Sequence, residues 1–271
     1  MGKFDCVLLA SDYDATFAMG FDVPPTNLEM LEYFKAQGGR FTISTGRALH
    51  TFGMVRPYVP LHIPAILANG AMIYDYDKEE VLFERPLPDS AREDMALLAR
   101  LRPEMGMEVY HGATTVYAWN VNPYMEIHRG YLKDCTFHVI PDIGDIPQPW
   151  DKGIFEHEHD VLVSLQTEIL SRWGDRYEAF FSADTMLELN AKGCTKGDGV
   201  LRLAGMLGIQ RKNIYCVGDN QNDISMLEIS AIPFAPENAI PMVKELPGIH
   251  ILPPCEEGAV CALIAYLDTI Y

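Results

Sequence analysis

What this 271-residue sequence lacks narrows it first. It has no long apolar run: the best, Ala259 to Leu267, is nine residues, about half of what a bilayer-spanning helix requires. Basic residues are scarce, with 21 Lys and Arg against 38 Asp and Glu and a net charge of −17. That balance argues against surfaces that grip nucleic acid or anionic membrane through basic patches. No C-x-x-C spacing occurs among the six cysteines. Cys6 and Cys216 fall inside apolar strand-like runs, where a thiol behaves as a small hydrophobe. The N-terminus carries one lysine and a short apolar stretch that runs straight into Asp12, which is no signal-peptide pattern. The expectation is a reduced, cytoplasmic protein. Internal repeats and low-complexity linkers are also missing.

What is present is a soluble globular composition, 48% hydrophobic and 22% charged. The length suits one large domain or two ordinary ones. Over the first ninety or so residues, short strand-like runs alternate with helical patterns. Cys6–Ala10 reads as a buried strand. Thr26-Asn27-Leu28-Glu29 reads as a capping box opening a helix that Gly38-Gly39 ends. Arg40–Ser44 and Pro64–Ala68 read as strands, and NGAMIYD with EEVLFERPL as a hairpin. The C-terminal third repeats the style. A helix is striped by Val200, Leu203, Ala204 and Leu207, and strands are expected at Ile214–Val217 and Ala231–Phe234. Short Ile224–Ile229 and amphipathic Val260–Leu267 helices complete it. Strand, helix, strand in this order predicts an α/β class with a Rossmann-like parallel sheet. The middle differs: a Ser90-Ala91-Arg92-Glu93 capping box and helix, the hairpin-like MEVYHGATTVYAWN, and EAFFSADTMLELN. This predicts an α+β insertion over 86–186 between two halves of one core, 1–85 and 187–271.

Four polar blocks stand at strand ends or helix starts. In DYDATF, Asp12 and Asp14 are i and i+2 at a strand end, so both carboxylates leave on one side of the chain. That edge is where open α/β sheets bind ligands; a solvated turn fits the pair as well. Ser44-Thr45-Gly46-Arg47 offers a hydroxyl, a close backbone approach and N–H groups suited to phosphate, or an ordinary cap. Lys196, in CTKGDG, stands at a helix N-terminus against the dipole preference, so something other than the helix wants it. Gly218-Asp219-Asn220-Gln221-Asn222-Asp223 gathers hard oxygen ligands suited to Mg2+, or forms an Asn/Asp-rich turn. Each block is ambiguous alone. Their ordered recurrence favours a catalytic set.

Together these blocks resemble the haloacid dehalogenase-like hydrolase superfamily, and within it the Cof-type phosphatases with a large α/β cap. DYDATF stands at the D-x-D-x-T motif, STGR and NGAMIYD at the next two blocks, and CTKGDG and VGDNQNDISML at the last two. Ala15 departs from the usual Gly, and a positive φ there would cost about 1 kcal/mol. The resemblance implies a Mg2+-dependent phosphatase of small phosphorylated metabolites such as sugar phosphates. Asp12 would be the nucleophile and Asp14 the acid and base, with metal held by Asp12, the Asp14 carbonyl and Asp219. Thr45, Gly46, Lys196 and Asn222 would take the phosphate, with Asp223 and Arg47 in support. Rivals are a phosphomutase or phosphotransferase, and a non-catalytic metabolite-binding protein on the same scaffold. The last would be expected to lose the nucleophile, acid or lysine. No nucleic-acid or membrane partner is expected, and the chain reads as a monomer or weak homodimer.

Specificity would then lie in the insertion. Tyr110, His111, Tyr117, Trp119, His128 and Arg129 are the candidates, although packing or plain surface accounts for each. The EHEH stretch, Glu156 to His159, offers metal-binding side chains, but beside Asp160 it reads as a solvated loop. The 13 methionines need no cofactor, since Met fills core gaps.

Overall fold

A computed structural model describes residues 2–112, 114–130 and 135–271. The N-terminal segment contains β1 (Leu8–Ser11), α1 (Pro25–Ala36), β2 (Arg40–Ile43), α2 (Leu49–Gly53), β3 (Ala65–Leu67), β4 (Met72–Asp75) and β5 (Glu80–Glu84). The middle contains α3 (Ala91–Leu101), β6 (Gly106–His111), β7 (Thr115–Trp119), α4 (Pro123–Arg129), β8 (Thr136–Ile140), β9 (Lys152–Glu156), α5 (His159–Trp173), β10 (Tyr177–Ala183) and β11 (Met186–Ala191). The C-terminal segment contains α6 (Lys196–Leu207), β12 (Ile214–Val217), α7 (Ile224–Ile229), β13 (Pro233–Pro236), α8 (Pro241–Lys244), β14 (His250–Leu252) and α9 (Ala259–Ile270). Among the described residues, no helix is long and apolar enough to cross a membrane.

The chain divides into two compact units. One comprises Met1–Arg47, Phe52–Glu84 and Thr195–Tyr271, the other Arg85–Cys194 with Ala48–Thr51. The second break falls at 194 rather than 186 because β10 and β11 form one antiparallel hairpin. A boundary at 186 would cut that hairpin apart.

The first unit is built on a five-stranded parallel sheet in the order β14-β13-β12-β1-β2. Leu8 and Ala10 on β1 and Ile214 and Cys216 on β12 bury one face against Val200, Leu203 and Ala204 of α6 and Met226 of α7. The i, i+3, i+4 spacing of those α6 residues makes the stripe that packs there. A Ser44–Ile66 bridge carries β3 alongside β2, and β3-β4-β5 runs on as an antiparallel meander.

Three local readings need correction. Cys6 is exposed at φ +68°, and β1 starts at Leu8. The first helix starts from Pro24 with Pro25 at its first turn and has no side-chain cap. Asn27 is instead buried, donating to the Phe17 carbonyl and accepting from the Cys261 N–H. Ser90 does not cap α3 either; its hydroxyl meets Arg176 and Tyr177. Pro24 and Pro25 displace the first box, and Ser90 loses its hydroxyl to long-range partners.

The second unit is a six-stranded sheet in the order β10-β11-β9-β6-β7-β8, with only β7 and β8 parallel. The expected β6–β7 hairpin is present, apart from Ala113, which lies outside the described residues. Met107, Val109, Phe155, Leu187 and Leu189 pack one face against Met95, Leu98, Leu162, Leu165 and Trp173 of α3 and α5. Alternation along the strands sends Glu108, Tyr110, Lys152, Glu156 and Glu188 to the opposite face.

Candidate active site

Because β12, β1, β2 and β3 run in one direction, the residues following them emerge at one carboxyl edge. Asp12 follows β1, Thr45 follows β2, Asn69 follows β3, and Asp219 follows β12. Lys196 opens α6, where Thr195 caps the helix and Asp198 completes a reciprocal capping box. That box went unrecognised in the sequence, where the lysine drew the attention. The α6 N-terminus sits very close to the turn after β3. A Cβ added at Gly70, which has φ +90°, would stand 2.1 Å from the Thr195 carbonyl oxygen. The NGA block therefore sets the height of Lys196 against the sheet.

Lys196 is wholly buried. Its Nζ lies 2.7 Å from Asp12 Oδ1 and 2.5 Å from Asp223 Oδ1. Burial works against its charge, but Asp12 and Asp223 outweigh burial and hold the ammonium on. Asp223 Oδ2 accepts from the N–H groups of Asp219 and Asn220 at 2.9 and 3.0 Å. Asp223 thus fixes both the lysine and the loop that carries Asp219. Thr16 Oγ1 donates to Asp219 Oδ1 at 2.7 Å, a contact the D-x-D-x-T spacing could have suggested because threonine is its last letter.

Asp14 is bound by Arg47. Arg47 Nε donates to its Oδ2 at 2.8 Å and Nη2 to its Oδ1 at 2.7 Å. Arg47 also lies over the Tyr13 ring, 5.2 Å from the centroid. Ala15 has φ +58°, so the left-handed conformation anticipated at the Gly-to-Ala departure is present. Its N–H bonds the Ala18 carbonyl and its own carbonyl accepts from Asn238. Thr45 is buried, with its hydroxyl accepting the Arg47 N–H at 3.1 Å and its carbonyl the Asn69 N–H at 2.9 Å. Asn222 Nδ2 donates to Asn69 Oδ1 at 3.1 Å. Asn69 is a site residue that the sequence reading passed over inside a hairpin.

Asp12, Asp219 and Asp223 each bring one carboxylate oxygen within 4.8 Å of the others. Burial lifts the Asp12 pKa far above the carboxylate range, with Lys196 opposing and the other acids adding to the rise. Burial, then Asp223, push Asp219 up to about 7, while Thr16 pulls it back. Three buried carboxylates face one lysine. Asp223 is committed to Lys196 and to the N–H groups of Asp219 and Asn220. A small hard dication suits that donor set. Asp14 could join only through its carbonyl, since its carboxylate is held by Arg47.

In the second unit, Tyr117 and Trp119 pack against the helix-covered core, and His111 Nδ1 meets the Pro149 carbonyl at 2.7 Å. Arg129 stacks over Phe137 and bonds Glu126. Tyr110 is buried with Lys152 over its ring. Glu156 corrects the EHEH reading: it is 1% exposed, ends β9, and pairs with His128 at 2.9 Å.

A parallel sheet with an acid–lysine–acid set at its carboxyl edge defines a hydrolase core of the phosphoryl-handling kind. The chain belongs to the haloacid dehalogenase-like hydrolases, whose family pattern matches residues 9–263. An HMP-PP phosphatase of Klebsiella pneumoniae is 26% identical over 262 residues, covering 96% of this chain and 94% of its own. Another, from Serratia proteamaculans, is 25% identical over 256 residues, covering 93% and 92%. Among solved structures, a subclass IIB sugar phosphatase of this superfamily superposes with a TM-score of 0.82 at 20% identity, covering 97% of this chain and 99% of its own.

Proposed function

We propose that this chain is a Mg2+-dependent phosphatase that hydrolyses phosphomonoesters of small metabolites through an aspartyl-phosphate on Asp12. The observation that carries the reading is Lys196, fully buried yet charged, bridging Asp12 and Asp223 at the sheet's carboxyl edge. A fixed ammonium beside a buried carboxylate is suited to an arriving phosphate dianion, and it requires no reorganisation when charge develops.

An oxygen of Asp12 attacks phosphorus, and the bond to the ester oxygen breaks. Asp14 in its acid form gives that oxygen its proton, and the alcohol leaves. Asp14, now a carboxylate, takes a proton from water as the water oxygen attacks phosphorus. The bond to Asp12 breaks and inorganic phosphate departs. Arg47 orients Asp14 through two parallel bonds. Thr45, Gly46, Lys196 and Asn222 hold the phosphoryl oxygens. Mg2+, carried by Asp12, Asp219 and the Asp14 carbonyl, supplies positive charge that offsets repulsion between carboxylate and phosphate. The inserted unit, the first unit having all the acids and the lysine, is assigned the choice of substrate. Lack of any disulfide among the six cysteines supports a reducing, cytoplasmic setting.

The test is phosphate release from sugar phosphates, HMP-PP and related esters with Mg2+, beside Asp12→Asn. Release by the native chain alone supports the reading. No release from any member by folded, Mg2+-loaded protein overturns it in favour of phosphoryl transfer or binding alone.

A further inference from the structure

A second set of potential metal-binding side chains lies wholly inside the inserted unit, and the proposed reaction does not use it. Glu108 stands on β6 opposite Ile154, and Glu156 on β9 opposite Gly106. The two glutamates are therefore diagonal neighbours on one face of the sheet. His128 reaches them from α4, its Nδ1 lying 2.9 Å from Glu156 Oε1 and 3.3 Å from Glu108 Oε2. One donor atom from each residue falls within 4.8 Å of the other two.

Among the described residues this group is under-compensated. Glu108 is 0% exposed, and among the described residues neither of its carboxylate oxygens has a well-aligned hydrogen-bond donor, His128 Nδ1 standing off at 3.3 Å. Its sole close ionic contact among the described residues is the one to His128. Lys152, the nearest lysine on this face of β9, is paired with Glu188. Among the described residues, His128 is the side chain that contacts both buried carboxylates, which is poor compensation for their desolvation.

The frame around the group is built rather than incidental. Asn122 accepts the N–H groups of Tyr124 and Met125, capping the short helix that carries His128. The same side chain donates to the Glu156 carbonyl at 2.7 Å. A Cβ at Gly106 would lie 2.3 Å from Met125 Sδ and 2.7 Å from Asn122 Nδ2. Glycine at this place lets α4 close onto β6. Zn2+ bonds imidazole nitrogen and carboxylate oxygen at about 2.0–2.2 Å, which puts the edge of a tetrahedron near 3.3 Å. The 2.9 and 3.3 Å separations around Nδ1 are close to that edge.

We propose that Glu108, His128 and Glu156 form a site for a divalent cation of the zinc type, separate from the acids around Asp12. The ion takes Nδ1 and one oxygen from each glutamate, keeps a fourth position for water, and fastens α4 to the sheet. An orienting residue such as Asn122 belongs with such a site. The EHEH stretch thus contributes its first glutamate, with partners drawn from distant segments rather than from its own histidines.

The experiment uses full-length protein stripped with a chelator, then titrated with Zn2+ in excess Mg2+ to occupy the hard-oxygen cluster. Native protein should retain one equivalent of Zn2+ through desalting, and so should Asp12→Asn. Glu108→Gln and His128→Gln should each bind at least about tenfold more weakly. Unchanged binding in both variants, loss of the ion in Asp12→Asn, or no retention by native protein overturns the site. Should the variants misfold, X-ray absorption on the native zinc protein decides. One imidazole with oxygen neighbours upholds the assignment, and sulfur ligands or no imidazole refute it.

Discussion

Arg47 grips Asp14 by both carboxylate oxygens, at 2.8 and 2.7 Å, two residues along the loop from Asp12. A residue meant to give and take a proton is thereby held in one orientation by a guanidinium that never titrates. Arg47→Ala should reduce kcat by roughly 10–100-fold on sugar phosphates, part of what a general acid contributes. It should reduce kcat much less on p-nitrophenyl phosphate, whose leaving group needs no proton. In an Asp14→Asn background the same change should add little, because Arg47 acts through Asp14. Full additivity in that double-mutant cycle would sink the positioning role.

Asp12→Asn should lower turnover by about 10³-fold or more without loss of stability. Asp12 is held among like charges, and Lys196 keeps Asp223 when Asp12 is neutralised. Thermal melts of the two proteins in chelator check this. A markedly lower midpoint for the variant would mean the Lys196–Asp12 contact outweighs the repulsion.

Lys196→Met should behave in the opposite way. Removing one member of a buried ion pair typically costs about 3–5 kcal/mol, and here it leaves Asp12, Asp219 and Asp223 without their cation. Denaturant unfolding with and without Mg2+ should show a large loss in chelator and a smaller one with the metal. Equal losses in both conditions would remove the carboxylates from the metal assignment.

Ala15→Gly should stabilise the chain by up to about 1 kcal/mol, the cost of an L-residue at φ +58° less the added freedom of glycine when unfolded. Urea midpoints of the two proteins measure it. A destabilised variant would show that the Ala15 methyl contributes packing that exceeds its strain.

Metal-free protein should also lose stability with rising pH. Burial alone would depress His128, but Glu108 and Glu156 reverse that and lift it from 6.5 to about 9. Glu156 is raised as well, chiefly by burial, with His128 and, less, Lys152 pulling the other way. The folded chain therefore holds a proton on His128 that the unfolded chain releases, and its contribution is complete below 6.5 and gone above about 9. Unfolding midpoints measured across that window should fall, and His128→Gln should flatten the decline. A flat native profile would contradict it.

The parts of the site that stand at strand ends were legible in the sequence. Asp12, Thr45 and Asp219 each follow a buried apolar run, and the α/β alternation puts them on one edge. Lys196 was legible because it offends the helix dipole. What escaped were relationships that only tertiary structure creates. Asn69 lay inside an apparent hairpin. Glu108, His128 and Glu156 come from three elements, and no spacing rule joins them. The supposed caps at Thr26 and Ser90 matched the local pattern, yet Pro25 already starts one helix and Tyr177 and Arg176 claim the other hydroxyl. A short capping motif cannot show which distant group competes for its side chain.

The order of strands in the parallel sheet bears on synthesis. Leu8 to Ser11 lie between Arg40–Ile43, which follow at once, and Ile214–Val217, which emerge only after the whole insertion. On the ribosome β1 waits with one edge unpaired while Arg85–Cys194, a nearly self-contained stretch, can already fold. Long sequence separation slows such pairing, and exposed strand edges invite association with other chains. The slow event in making this protein should be the return of β12 to β1, and crowding or heat during translation should harm yield more than the same stress applied to the finished chain.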